Sequence, residues 1–122
     1  MMFDWNNYPK QTLATIGDIG KIGPDIVHGF TQPGGAHAKA GRLDANTREL
    51  LALAVAVTRP CDGCITVHTA AALKQGPTRE EIVDALGMAI SVNAGAALVY
   101  SAPVMEAYSA MTAPPETDSP TG

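Results

Sequence analysis

Apolar positions along the chain recur at helical spacing rather than in the alternation that a sheet sandwich requires. From Lys10 to Lys21, Leu13, Ile16 and Ile19 come every third residue, a weak helical pattern interrupted by Gly17, Gly20 and Gly23. Pro24 suits a first helical position, and Ile26, Val27 and Phe30 follow before Pro33-Gly34-Gly35 breaks the pattern. Helix is expected to resume over 36–40 and stop at Gly41. Asp44 is a good N-cap for a helix over 45–57, with Leu43 placed to staple onto it. From Leu50 to Val57 this helix is apolar all round, which predicts burial on every side, and Glu49 stands where its solvated end enters the core.

The short turn Thr58-Arg59-Pro60 favours antiparallel packing of the next helix, which returns the chain toward Glu49. That helix is predicted from about Asp62 to Lys74, closed by Gly76-Pro77. Thr78-Arg79-Glu80-Glu81 has the form of a capping box. It opens a long helix through Ile82, Val83, Leu86, Met88 and Ile90 to about Ala110, bent near Asn93-Ala94-Gly95 and at Pro103. Residues 1–9 read as a loosely held arm anchored by Phe3, Trp5 and Tyr8, residues 10–111 as one helical domain, and residues 112–122 as a disordered tail.

Composition sharpens the fold class. The 122 residues are 46% hydrophobic but only 5% aromatic, so the core is built from Ala, Val, Leu, Ile and Met, which suit closely packed helices. The chain is read as all-α. Its net charge of −4 comes with no basic cluster, which argues against a nucleic-acid partner. No formal charge occurs from Ala85 to Met105, long enough to raise a membrane span, but Ala, Gly, Ser, Asn and Pro make the stretch too weakly apolar for lipid. It needs cover on more than one side, and a 122-residue chain has little to spare, so a homo-oligomer and no membrane are expected. The first residues have neither the positive nor the apolar region of a signal peptide, which points to a reducing cytoplasm.

The chemistry gathers in Cys61-Asp62-Gly63-Cys64-Ile65-Thr66-Val67-His68, which holds both cysteines of the chain. At a helix start Cys61 and Cys64 lie one turn apart and His68 is the i,i+4 neighbour of Cys64, so two thiols and a base share one face. The unpaired N–H groups and dipole of a helix N-terminus favour thiolate, while the negative charge of Asp62 opposes it. Two thiols and an imidazole are also three natural zinc ligands, and a pair that only senses redox state is a further reading. His28 and His37 read as surface or structurally satisfied histidines, since no carboxylate or thiol stands at ligand spacing from either.

The succession of Asp44-Ala-Asn-Thr-Arg-Glu49, the Cys61-x-x-Cys64-x-x-x-His68 motif, and Gly76-Pro-Thr78-Arg-Glu80-Glu81-Ile82 resembles the carboxymuconolactone decarboxylase superfamily, over residues 20 to 110. Within it the match is closest to the alkylhydroperoxidase D-like branch. The resemblance implies an all-helical bundle, assembled as a trimer or hexamer, with its site in the helical core near subunit contacts. It implies that Cys64 is the thiol that meets peroxide, Cys61 its resolving partner, and Glu49 and His68 a proton relay to the thiol. The implied activity is thiol-dependent reduction of an alkyl hydroperoxide or disulfide, with an external dithiol as reductant and no cofactor or metal. Gly63 departs from members with a second histidine just before the second cysteine, so a relay through that imidazole is absent. Lactone decarboxylation, which the same scaffold supports in relatives that generally lack the paired cysteines, is the alternative reaction.

Overall fold

The computed structural model describes residues 4–116, which form six α-helices and no strand. They are α1 (Tyr8–Ile22), α2 (Pro24–Ala40), α3 (Ala45–Thr58), α4 (Asp62–Gln75), α5 (Arg79–Val99) and α6 (Ala102–Thr112). The chain forms two units, one up to Ala89 and one from Ile90, and α5 passes from the first into the second.

The first unit is held by α3 packed on α4, with α1 against both α2 and α4. Its tightest packing lies between α3 and α4, where Leu53, Ala56, Thr66 and Ala72 are buried. Small residues at 56 and 72 let the two backbones approach closely. The polar Thr66 is satisfied there, its hydroxyl donating to the Gly63 carbonyl at 2.9 Å. Before α1, Trp5 meets Tyr8 edge-on at 6.4 Å and lines a cleft with Ile65, Thr69 and Leu73 of α4. The arm at 1–9 is therefore docked at Trp5, while Phe3 lies outside the described residues.

Helix ends follow local chemistry. Asp44 accepts the Thr47 N–H at 2.7 Å, and Thr78 Oγ1 accepts the Glu81 N–H at 3.1 Å. The Thr78 hydroxyl in turn donates to Glu81 Oε1, in place of the return bond from the side chain to the N-cap backbone that completes a capping box. Gly41 and Gly76 end α2 and α4 with φ of 64° and 94°, the left-handed conformation that favours glycine.

Several expectations are corrected. Gly17 and Gly20 do not break α1, and α2 runs unbroken through Pro33-Gly34-Gly35. Pro33 donates no bond to the carbonyl four residues back, but that residue is the exposed Gly29, whose oxygen is open to water. Leu43 is half-exposed, and its carbonyl accepts from Arg48 Nη1 at 2.9 Å. The C-terminal helix is continuous through 93–95 and is divided at Tyr100-Ser101, with Pro103 in the first turn of α6, where its missing N–H costs nothing. The chain leaves helix after Thr112, and the rest of the expected tail beyond residue 116 lies outside the described residues.

Burial all round α3 is not found within one chain: Leu51, Val55 and Val57 are exposed. In the second unit, described by itself, none of the described residues is buried, and Ile90, Val92, Leu98, Val99, Val104 and Met111 are all exposed. The run Arg79–Thr112 is long and apolar enough to cross a membrane by length and composition, a test that core helices of soluble proteins also pass.

Candidate active site

The turn at Arg59-Pro60 is closed by two backbone bonds, Arg59 N–H to the Val55 carbonyl at 3.0 Å and Cys61 N–H to the Ala56 carbonyl at 3.2 Å. They reverse the chain and fix Cys61 in extended conformation as the N-cap of α4. Its sulfur takes the place usually held by a Ser or Asp oxygen, accepting the Cys64 N–H at 3.1 Å. Cys64 sits one turn on, with Cα atoms 5.2 Å apart, and the two cysteines are joined as a disulfide. When the bond is reduced, the same N–H group and the positive end of α4 face the sulfurs, an arrangement that favours thiolate.

Antiparallel packing of α4 on α3 brings His68 to Glu49, as the short turn predicted: His68 Nδ1 lies 2.8 Å from Glu49 Oε2. A carboxylate can only accept, so with a neutral imidazole the proton sits on Nδ1 and the lone pair is left on Nε2. Glu49 is the more enclosed of the two, its side chain 20% exposed against 36% for His68. The carboxylate therefore orients the ring from behind. All four residues singled out from sequence come together, Cys61, Cys64 and His68 on the wall of one cavity of about 800 Å³ and Glu49 behind His68. Among the described residues no group of three His, Cys, Asp or Glu is arranged to hold a metal.

The cavity also holds residues that the motif did not flag: His37, Arg42, Arg48 and Arg59 with Leu43, Leu51, Ala52, Val55 and Ala56. His28, which pairs with Gln32, and His37 are both exposed as expected, and His37 also lines the cavity. The signal for the wall was present in the sequence, since positions 48, 51, 52, 55 and 56 follow the 3-4 spacing of one face of α3, and Arg59 is its C-cap.

Residues 24–107 match the family model described as the carboxymuconolactone decarboxylase family. The chain belongs to that family. A crystal structure of a carboxymuconolactone decarboxylase family protein from Legionella pneumophila superposes with a TM-score of 0.68 at 34% identity, covering 89% of this chain and 97% of that one. An uncharacterised Haemophilus influenzae protein is 42% identical over 113 residues, which is 93% of this chain and all of the relative. A Paracoccus denitrificans protein described as uncharacterised protein 4 in the cox locus is 33% identical over 93 residues, 76% of this chain and 83% of its own. The carboxymuconolactone decarboxylase family includes decarboxylases and alkylhydroperoxidases, and the paired cysteines of this member are compatible with redox chemistry.

Proposed function

We propose that this family member is a thiol-dependent oxidoreductase that reduces alkyl hydroperoxides. The observation that carries the reading is the convergence of Cys61, Cys64 and His68 on one cavity wall, with His68 held by Glu49.

In the reduced protein, His68 Nε2 takes the Cys64 proton. The Cys64 thiolate attacks the terminal peroxide oxygen, the O–O bond breaks, and the departing alkoxide takes a proton from His68 and leaves as alcohol. The sulfenic acid on Cys64 is attacked by Cys61; water leaves and the disulfide forms. An external dithiol in a reducing cytoplasm then exchanges with the disulfide and restores both thiols. Glu49 keeps Nδ1 protonated, so Nε2 serves as both base and acid. With Gly63 in place of a second histidine, proton traffic runs through His68 alone. The same reading includes assembly as a homo-oligomer, trimer or hexamer, which covers the apolar second unit.

Stopped-flow mixing of the reduced protein with cumene hydroperoxide, followed by thiol titration, tests this function. One equivalent of peroxide consumed with loss of both thiols is expected. Cys64→Ser should not react, and Cys61→Ser should stop at the sulfenic acid, trapped by dimedone. Thiols that survive excess peroxide would exclude the mechanism.

A further inference from the structure

The wall beside the thiols combines two chemistries that an unspecialised peroxide does not need. Three of the chain's four arginines, Arg42, Arg48 and Arg59, line it, although the chain carries a net charge of −4. No Asp or Glu shares the lining. Arg48 spends one donor on the Leu43 carbonyl, the residue next to Arg42, which sets these two cations at the same end of the cavity. The guanidinium groups of Arg42 and Arg59 make no hydrogen bond or ion pair among the described residues. Beyond Arg48 the wall turns apolar through Leu51, Ala52, Val55 and Ala56, and roughly 10 Å of helix axis separates Arg48 from Val55. The disulfide lies at the far end, tied to Ala56 through the Cys61 N–H.

The Arg42–Arg48 pair, the apolar wall and the thiols thus follow one another along a single groove, with Arg59 at the C-cap of α3 beside the thiol end. We propose that the groove binds an organic hydroperoxide bearing a carboxylate on an apolar body, such as the hydroperoxide of a fatty acid. The carboxylate pairs with Arg42 and Arg48, the hydrocarbon lies on Leu51 and Val55, and the hydroperoxide group reaches Cys64. A guanidinium fork matches a carboxylate in charged, bidentate geometry that a neutral ester cannot reproduce. This substrate class rests on the hydroperoxide-reductase reading of the same thiols.

Two measurements separate the inference from that reading. The first compares the rate constants of reduced protein with linoleic acid hydroperoxide and with its methyl ester. The acid should react at least about tenfold faster, as a charged hydrogen bond warrants. The preference should shrink as salt is raised and fall several-fold in Arg42→Gln, whereas Arg79→Gln, outside the cavity, should keep it. Equal rates for acid and ester would overturn the substrate class and leave the peroxidase reading standing. The second titrates oxidised protein with decanoate and with decanol by calorimetry, where no chemistry occurs. Tighter binding of decanoate, weakened by Arg42→Gln, supports the groove even if no peroxide reacts; decanol binding as tightly, or neither ligand binding, overturns it.

Discussion

The α3–α4 pair and the stretch from Ile90 to Thr112 are both rich in apolar side chains, and the chain treats them oppositely. In the pair, Leu53, Ala56 and Ala72 are buried by their own chain, the turn between the helices is closed by backbone bonds, and the catalytic candidates sit where the helices meet. From Ile90 onward none of the described residues is buried. The difference shows that apolar composition does not by itself make a core: α3 and α4 have each other, and α5 beyond Ala89 with α6 has no cover of comparable extent. Exposed apolar area of that kind is what the proposed homo-oligomer would cover.

The sharpest way to break the comparison is to charge the second stretch. Leu98→Asp with Val104→Asp should convert the oligomer to monomer, measured by size-exclusion chromatography with light scattering. If wild-type protein is already monomeric, or elutes only with added phospholipid vesicles, self-association is wrong for this surface.

Within the pair, the largest effect after the cysteines belongs to His68. His68→Ala should slow thiol oxidation by about 10²–10⁴-fold, the range of a positioned acid–base group, and Glu49→Gln by roughly tenfold, because the ring stays but loses its anionic anchor. Stopped-flow rates across pH 5 to 9 check both, since loss of the base changes the pH profile as well as the rate.

The legibility of the sequence divided along the same line. The α3–α4 pair could be read because its signals are local: Asp44 and Gly76 mark ends, a short turn forces antiparallel return, and Cys64 and His68 are one turn apart. Glu49 and His68, 19 residues apart, followed from that return. What the sequence obscured was tertiary or solvent-dependent. Helix α2 passes through Pro33, where the unpaired carbonyl belongs to the exposed Gly29, and the break at Tyr100-Ser101 fell between two apolar runs that periodicity joins. His37 is the surface residue that the sequence suggests, and only folding brings it to a wall shared with α3 and α4.

Smaller changes test how far local signals hold the pair in place. Gly76→Ala puts a Cβ on a residue with φ of 94° and should cost about 1–2 kcal/mol in urea unfolding. Asp44→Ala removes the N-cap of α3 and should lower the melting temperature by a few degrees. The Thr47 backbone and side-chain hydrogen bonds hold the Asp44 carboxyl below its ordinary value of 3.8. A depressed folded-state pKa means that this contribution is present above the ordinary value and is lost as pH falls through the lower, folded value. The melting temperatures of wild type and Asp44→Ala should therefore converge in acid below pH 4; a constant gap would mean that the cap acts without its charge.

Gly63→Ala is the smallest and the most discriminating change. Gly63 lies in the first turn of α4 without a positive φ, and a Cβ there meets only Thr12 Cγ2 of α1, at an ordinary contact distance of 3.9 Å. The site thus has room for a side chain, and alanine should stabilise the protein by roughly 0.5–1 kcal/mol by restricting the unfolded chain. Yet Gly63 lies between the cysteines, and its carbonyl holds the buried Thr66 hydroxyl. If unfolding shows the gain while the rate with peroxide stays within about twofold, the first turn of α4 is rigid already and glycine there serves no motion. If stability rises and the rate falls, the turn must flex to interconvert dithiol and disulfide, and the fixed face of α3 and the adjustable start of α4 are the two working parts of the pair.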